Sequence, residues 1–186
     1  MRKNREQNQL NNALSILTVD DDALITSTIQ AYFRRSGYNV DMENDPRKAI
    51  ERIREGQYDI LLLDFLMSPL SGDRVVEEIR KFNKDISIIL LTGHQSMAPP
   101  IKTIRELDIQ GYYEKDNRFD KLELLVESCA KSIRQMRTIQ EYQKKMTENY
   151  MEMVLALRLM VDARNPYTRG HSDRVAYVDC DIACAM

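Results

Sequence analysis

The sequence predicts an α/β protein: a doubly wound, five-stranded parallel sheet followed by one long C-terminal helix. Short β-rich runs alternate with stretches of helical apolar spacing from residue 13 to about residue 130. The run at 58–63 is almost continuously apolar, which is typical of a parallel strand covered by helices on both faces. Polar residues stand directly after several of these runs, where such sheets bind ligands.

The first two strand–helix units have recognisable starts and stops. A β-rich run at 14–19 precedes a helix predicted at 24–35, which ends at Gly37. A second strand is predicted at 38–42. Asp45 followed by Pro46 then provides an N-cap and a first-turn proline, so we expect a helix there that Gly56 closes.

Three further units complete the sheet. The strand at 58–63 ends in Asp64, and a loop to Gly72 leads into a helix around 73–82. The remaining predicted elements are a strand at 86–91, a helix at about 98–107, a strand at 111–114 and a helix from about 119 onward. Each apolar run is of strand length, and glycines or polar clusters separate the runs.

Polar side chains follow four of the predicted strands. They are Asp20, Asp21 and Asp22, then Asp64, then Thr92, and finally Lys115. Clustered carboxylates repel one another unless a cation lies among them, and hard oxygen ligands suit Mg²⁺. A carboxylate beside Mg²⁺, an ammonium and a hydroxyl can attack a phosphoryl donor. Taken singly, Asp22 is explained as a helix cap, Thr92 as a turn residue and Lys115 as a surface charge; jointly they favour a site.

Composition excludes several other classes of protein. Over 186 residues, 27 basic and 29 acidic side chains give a formal net charge of -2, so no overall basic field favours nucleic acid. The apolar runs are too short to span a bilayer, and we expect no signal peptide in the polar start. Three late cysteines, Cys129, Cys180 and Cys184, form no Cys-x-x-Cys motif, which fits a reducing cytoplasm.

Four segments in this order resemble the receiver domain of bacterial two-component response regulators. They are Leu17-Thr18-Val19-Asp20-Asp21-Asp22, Asp64 with Gly72 eight residues later, Leu91-Thr92-Gly93, and Gly111-Tyr112-Tyr113-Glu114-Lys115. The resemblance covers residues 13–130 and implies a flavodoxin-like sheet with strand order 2-1-3-4-5. It also implies a sensor histidine kinase or phosphotransfer protein as the partner.

The resemblance implies a role for each matching residue. Asp64 would accept the phosphoryl group, and Asp20 and Asp21 would hold Mg²⁺, together with Asp64 and the backbone carbonyl of Leu66. Thr92 would hydrogen-bond the phosphoryl group, and Lys115 would pair with it. Tyr112 matches an aromatic switch position, although a half-buried strand aromatic explains it equally well.

The sequence departs from the family pattern at a few positions. Asp116 stands where the family usually has proline after the lysine, and Pro69 is displaced by one residue from its usual place after Met67. His94 and Leu66 occupy variable positions on the rim of the site. Because Leu66 is apolar, we expect it to hinder water and slow dephosphorylation.

Helical character continues from about 119 to Asn165 without glycine or proline. Apolar residues recur at steps of three or four, stutter near Ile139 and Tyr142, and resume at Met146. This narrow seam predicts a helical linker at 131–163 that pairs as a parallel coiled coil in a homodimer. The alternative is a helix that packs back on its own domain.

The final stretch, 164–186, resembles the start of an HD-GYP domain, a metal-dependent cyclic di-GMP phosphodiesterase. The match is the Tyr167-Thr168-Arg169-Gly170-His171-Ser172 segment, with His171 as the corresponding metal ligand. Only 15 residues follow His171 and the other ligands are absent, so we expect a truncated protein and an incomplete hydrolase site.

Together these patterns predict a cytoplasmic response regulator that is not an enzyme, with a loose polar tail at 1–12. Two alternatives remain open: a cyclic di-GMP phosphodiesterase regulator whose catalytic domain is truncated, and a pseudo-receiver that acts as a phosphorylation-independent dimerisation scaffold. We expect no membrane partner and no nucleic-acid partner, since no helix-turn-helix unit with a basic face follows the predicted receiver.

Overall fold

A computed structural model describes residues 11, 13–93, 107–115 and 119–164 of the chain. Several predictions fall outside these residues: nearly all of the tail at 1–12, most of the helix at 98–107, and the HD-GYP-like segment after 164. His94, Asp116, His171, Cys180 and Cys184 lie outside the described residues as well.

The described residues form five strands and four helices, and a helix follows each of the first three strands and the fifth. The strands are β1 (Ser15–Val19), β2 (Asn39–Glu43), β3 (Ile60–Asp64), β4 (Ser87–Thr92) and β5 (Gly111–Glu114). The helices are α1 (Ala23–Arg35), α2 (Pro46–Glu55), α3 (Gly72–Arg80) and α4 (Phe119–Arg164). The predicted boundaries differ from these by at most two residues at each strand end, since local patterns mark the middle of a strand better than its ends.

All five strands pair in parallel, in the order β2-β1-β3-β4-β5. This arrangement confirms the predicted doubly wound sheet and its 2-1-3-4-5 order. The register sets Val19 beside Leu63, Asp64 beside Leu91, and Thr92 beside Glu114. The carboxyl ends of β1, β3, β4 and β5 therefore meet at one edge of the sheet.

Side chains of β3 belong to two apolar clusters, one on each face of the sheet. Ile60 and Leu62 belong to one cluster, while Leu61 and Leu63 belong to the other. All four are fully buried, which stabilises the fold by roughly 1.5–3 kcal/mol for each side chain. This burial on both faces explains why the sequence of β3 is continuously apolar rather than alternating.

Short side-chain caps begin the first two helices. The Asp22 carboxylate accepts a hydrogen bond from the Leu24 amide at 2.8 Å, and the Asp45 carboxylate accepts one from Arg47 at 2.9 Å. Pro46 then stands at the first position of α2. The structure thus confirms Asp45 as a cap and gives Asp22 the capping role that its position also suggested.

The predicted loose tail needs correcting at Asn11, which is only 3% exposed. Its side-chain amide donates to the Ser36 carbonyl at 2.9 Å and accepts from the Arg134 guanidinium at 3.3 Å. Polar composition suggested a solvated residue, but these long-range hydrogen bonds replace the hydrogen bonds to water that the Asn11 side chain loses on burial.

The chain divides into two compact units, Met1–Arg134 and Gln135–Met186. The first ends four residues beyond the predicted receiver boundary at 130. Within it, Glu123 of α4 accepts hydrogen bonds from Tyr32 at 2.6 Å and Ser36 at 3.1 Å, which fixes the start of α4 against α1. Among the described residues, no helix has the length and apolarity needed to cross a membrane.

Candidate functional site

Two buried carboxylates lie at the carboxyl edge of the sheet. Asp64 is the last residue of β3 and is 4% exposed, and Asp20 directly follows β1 and is 1% exposed. They lie side by side because β1 and β3 are neighbours in register. Burying two acidic groups together is costly unless a cation or hydrogen-bond donors compensate for the lost hydration.

Lys115 supplies that positive charge from the end of β5. Its Nζ lies 2.6 Å from Asp20 Oδ2 and 2.8 Å from Asp64 Oδ1. The other Asp20 oxygen, Oδ1, accepts the backbone N–H of Asp22 at 3.0 Å. The Lys115 side chain is 20% exposed, so its ammonium reaches the carboxylates from a partly open side.

The shared environment shifts two pKa values. Burial raises the pKa of Asp64 above its usual value, and the hydrogen bond and charge of Lys115 only partly offset this effect. Burial by itself would lower the pKa of Lys115, but the hydrogen bonds and charges of Asp20 and Asp64 outweigh it and raise the pKa. Lys115 is therefore protonated at neutral pH and stabilises the carboxylate form of Asp64.

Asp21 joins the two buried aspartates but remains exposed. One carboxylate oxygen from each of Asp20, Asp21 and Asp64 lies within 4.8 Å of the other two. The Asp21 carboxylate also accepts a long hydrogen bond of 3.4 Å from the Ser68 amide. Three anionic oxygens with one open side fit a hard cation such as Mg²⁺, which retains several water ligands.

Thr92 lies at the end of β4 on the same edge and is 2% exposed. Its carbonyl accepts the Lys115 backbone N–H at 2.8 Å, and the neighbouring Leu91 carbonyl accepts the Phe65 N–H at 2.9 Å. These backbone bonds tie the segments after β3 and β5 to β4. The structure thus brings Thr92 and Lys115 to the same edge as the three aspartates.

Gly72 allows the start of α3 to approach the backbone of Asp64 closely. A Cβ at Gly72 would lie 2.5 Å from the Asp64 carbonyl oxygen and 2.9 Å from the Phe65 Cα. The Gly72 N–H also donates to the Phe65 carbonyl at 2.9 Å. The eight-residue spacing from Asp64 to Gly72 therefore has a steric cause, because only glycine fits at this approach.

The two peripheral candidates lie at more exposed positions. Tyr112 is 48% exposed, whereas its neighbour Tyr113 is 5% exposed and belongs to the core. This partial exposure of Tyr112 is compatible with a switch residue and equally with a half-buried aromatic residue of the strand. Leu66 follows Asp64 by two residues with a 51% exposed side chain, and the role of its carbonyl as a metal ligand stays a prediction.

Asn44 is a supporting residue that sequence reasoning missed. Its side-chain amide donates to the Asp20 carbonyl at 2.7 Å and to the Thr26 hydroxyl at 3.1 Å. It follows β2 directly, so the rule that led to the other candidates, a polar residue after a strand, applies to it as well. Asn44 therefore fixes the backbone of Asp20.

A parallel sheet with acidic side chains, a lysine and a buried threonine at its carboxyl edge defines a receiver-type signalling domain. The chain belongs to the response regulator receiver domain family, whose profile matches residues 16–127. It contains the receiver domain of a two-component response regulator. Receiver domains bind Mg²⁺ at an acidic pocket, and the Asp20, Asp21 and Asp64 cluster corresponds to that pocket.

Known proteins share the same region. The transcriptional regulatory protein ZraR of Klebsiella oxytoca is 32% identical over 111 residues, which are 60% of this chain and 25% of ZraR. The response regulator MprA of Mycobacterium leprae is 32% identical over 85 residues, 46% of this chain and 37% of MprA. The match thus spans about a quarter of the length of ZraR.

Solved structures agree with this assignment. The response regulator TrrA of Thermotoga maritima, in complex with Mg²⁺ and BeF, has a TM-score of 0.58 and 31% identity, covering 62% of this chain and 98% of TrrA. The receiver domain of the Francisella response regulator 1452 has a TM-score of 0.59 and 25% identity, covering 64% of this chain and 98% of that domain.

Proposed function

We propose that Asp64 accepts a phosphoryl group from a histidine kinase or a phosphotransfer protein in a Mg²⁺-dependent reaction. The single observation that carries this proposal is the position of the Lys115 ammonium, within 2.8 Å of both Asp20 and Asp64 at the edge of the sheet. A buried carboxylate held in its anionic form beside a fixed cation is suited to nucleophilic attack.

In the proposed reaction an Asp64 oxygen forms the new O–P bond while the P–N bond of a phosphohistidine breaks. The bonding electrons leave with the histidine nitrogen of the donor. Lys115 stays charged and compensates for the negative charge on the transferring oxygens. Because burial raises the pKa of Asp64, its ionisation depends on Lys115.

Asp20, Asp21 and Asp64 would hold Mg²⁺, with the Leu66 carbonyl as a further ligand. The metal would neutralise charge on the phosphoryl oxygens. The exposed side of Asp21 leaves room for water ligands and an incoming donor. The similarity to TrrA, solved with Mg²⁺ and BeF, supports this assignment.

Thr92 and Tyr112 would relay the change. The Thr92 hydroxyl would hydrogen-bond the new phosphoryl group, and Tyr112 would respond from β5, shifting an equilibrium between two conformations of the domain. The Thr92 carbonyl already holds the Lys115 backbone. A movement at Thr92 would therefore also affect the segment after β5.

The test is intact mass after incubation with acetyl phosphate and Mg²⁺. We expect the parent chain to gain one phosphoryl group, and Asp64→Asn and a Mg²⁺-free sample to gain none. Asp73→Asn is a matched control, because Asp73 is an aspartate in the first turn of α3 outside the acidic cluster. A parent chain that gains no mass, while a known receiver in the same buffer does, would exclude the phosphoryl-acceptor role.

We further propose that the chain acts as a cytoplasmic switch and not as an enzyme, without a nucleic-acid or membrane partner. The output would pass through α4, which pairs in a homodimer. The HD-GYP-like segment around His171 would mark the start of an output domain.

A further inference from the structure

Eight residues of α4 in the second unit follow a strict heptad repeat with steps of three and four. The residues at heptad position a are Met136, Gln143, Tyr150 and Leu157. The residues at position d are Ile139, Met146, Met153 and Met160. We call these eight residues the seam. Its seven apolar members are between 52% and 76% exposed.

The repeat is unbroken when Gln143 is counted at position a. The stutter that the apolar residues alone suggested near Ile139 then disappears, and four heptads span 136–163, about 42 Å of helix. A seven-residue repeat sustained over this length is typical of helices that supercoil around one another. Other exposed apolar residues lie outside the seam in the last two heptads and widen the apolar face there: Met151, Val154, Leu155, Leu159 and Val161.

Charged side chains avoid the seam and its flanks. Every charged residue from 136 to 161 is at heptad position b, c or f, and positions e and g hold only uncharged residues. The ion pairs of Lys145 with Glu141 at 3.1 Å and of Lys144 with Glu148 at 4.0 Å lie on this outer face. Two copies can therefore pair without like-charge contact, whereas a charged partner helix would find no opposite charge beside the seam.

Gln143 indicates which partner completes the seam. A buried amide needs a group that can both donate and accept hydrogen bonds at its own level. In a parallel, in-register pair the facing residue is the Gln143 of the second copy, which meets that need. An antiparallel pairing over the whole seam would set Gln143 against an apolar layer instead.

We propose that the seam pairs in parallel with the seam of a second copy of this chain, and that Gln143 sets the register of the pair. The proposal rests on the proposed function in taking α4 as the output element that pairs in a homodimer, and it adds the direction of the pair, its register and the role of Gln143. In this pair Gln143 lowers the stability of the dimer but excludes shifted and antiparallel alternatives.

Disulfide trapping tests the geometry in the full chain, with Cys180 and Cys184 replaced by serine. Met153 and Met151 form a matched pair, since both are methionines with 54% exposure, at positions d and b respectively. We expect Met153→Cys to form a dimer rapidly under mild oxidation, and Met151→Cys to form it at least about tenfold more slowly. Equal rates at the two positions would overturn the parallel, in-register arrangement.

Sedimentation equilibrium tests the pairing by mass, starting from the 21.8 kDa monomer. We expect a dimer whose dissociation constant rises by roughly 100-fold in Met153→Lys and by less than about threefold in Met151→Lys. A weak dimer would still be populated at a concentration of about 100 µM, so a parent chain that is monomeric there would overturn the proposal. Such a result would mean that another segment or protein covers the seam.

Gln143→Leu tests the register. We expect a tighter assembly that is no longer a single dimer species, while the conservative Gln143→Asn retains one dimer. A Gln143→Leu chain that remains a uniform dimer of unchanged affinity would contradict the role of Gln143. All measurements use unphosphorylated protein and are repeated in Asp64→Asn, so failure of phosphoryl transfer cannot be mistaken for failure of pairing.

Discussion

At the scale of single residues, the site depends on one ammonium group shared by two carboxylates. Lys115 contacts Asp20 and Asp64 at 2.6 and 2.8 Å, and both carboxylates are almost completely buried. Removing one partner of such a group leaves a buried charge without compensation. This lowers the free energy of unfolding more than replacing the whole group by apolar side chains would. Lys115 therefore contributes to folding as well as to the proposed chemistry.

We expect Lys115→Met to lower the free energy of unfolding by about 3 kcal/mol at pH 7.5. The variant removes the contacts that lower the pKa of Asp64, so that pKa rises further above its unfolded value. A carboxyl group whose pKa is raised in the folded state holds its proton more tightly there than in the unfolded state. The free energy of unfolding therefore falls as the pH rises through the pKa of the folded state. Urea unfolding should therefore show a smaller loss at pH 5 than at pH 7.5.

The control for Lys115→Met is the double variant with Asp64→Asn, which removes one of the two facing charges. We expect the double variant to recover part of the lost stability at pH 7.5 and to lose the difference between the two pH values. A loss in Lys115→Met that is equal at pH 5 and pH 7.5 would contradict the electrostatic explanation.

Tyr38 gives a pH prediction away from the site. It is 3% exposed, its hydroxyl has no hydrogen-bond partner in the described part of the chain, and burial followed by the charge of Glu127 raises its pKa to about 12. An unfolded tyrosine ionises near pH 10. The parent chain should therefore lose stability between pH 10 and pH 12, as the unfolded state releases a proton first.

We expect Tyr38→Phe to remain within about 1 kcal/mol of the parent at pH 7, since no hydrogen bond is lost. Between pH 10 and pH 11 its stability relative to the parent should rise by roughly 1 kcal/mol. Tyr32, whose pKa is also raised to about 12 by its hydrogen bond to Glu123, titrates in both proteins and cancels in the difference. Parallel stability curves across this range would show that Tyr38 is not the group responsible.

At the scale of elements, helix α3 and strand β3 meet through Gly72. We expect Gly72→Ala to destabilise the fold by about 1–3 kcal/mol, because its Cβ would overlap the Asp64 carbonyl. Phosphorylation of Asp64 by acetyl phosphate should also slow, since the backbone that carries the acceptor must shift. Chemical denaturation and intact mass measure the two effects.

Gly93→Ala is the matched control for Gly72→Ala, because a Cβ there would have no atom within 4 Å. We expect its free energy of unfolding to stay within about 0.5 kcal/mol of the parent. Equal destabilisation by the two substitutions would mean that the contact with the Asp64 carbonyl is not what requires glycine at position 72.

The elements also show how far sequence patterns reach. The buried runs of β3 and β4 predicted the sheet, and the residues after the strands predicted the edge where Asp20, Asp64 and Lys115 meet. The contact of Lys115 with Asp20 joins residues 95 positions apart, so the topology had to be inferred before the contact could be. Asn11 was missed because its burial depends on hydrogen bonds that leave no local pattern.

At the scale of the whole molecule, the chain consists of a receiver unit and a second unit that contains the seam. The receiver unit, Met1–Arg134, includes both apolar clusters and every residue of the candidate site. A unit with its own core can fold by itself. The seam lies entirely in the second unit.

We therefore expect a chain that ends at Arg134 to fold cooperatively, accept one phosphoryl group, and sediment as a monomer. Circular dichroism melting, intact mass and analytical ultracentrifugation check the three outcomes. The full chain, which we expect to sediment as a dimer, is the control for the ultracentrifugation measurement. A truncated chain that still dimerises would place the dimer contact in the receiver unit and not in the seam.

The 95-residue separation between Lys115 and Asp20 also matters while the protein is being made. A ribosome adds residues in order, so β1 and β3 emerge well before the segment that carries the ammonium. Until β5 joins the edge of the sheet, the acidic residues lack their internal counter-charge. If Asp64 accepts a phosphoryl group as proposed, we expect a nascent chain to become competent for phosphorylation only after β5 has been added.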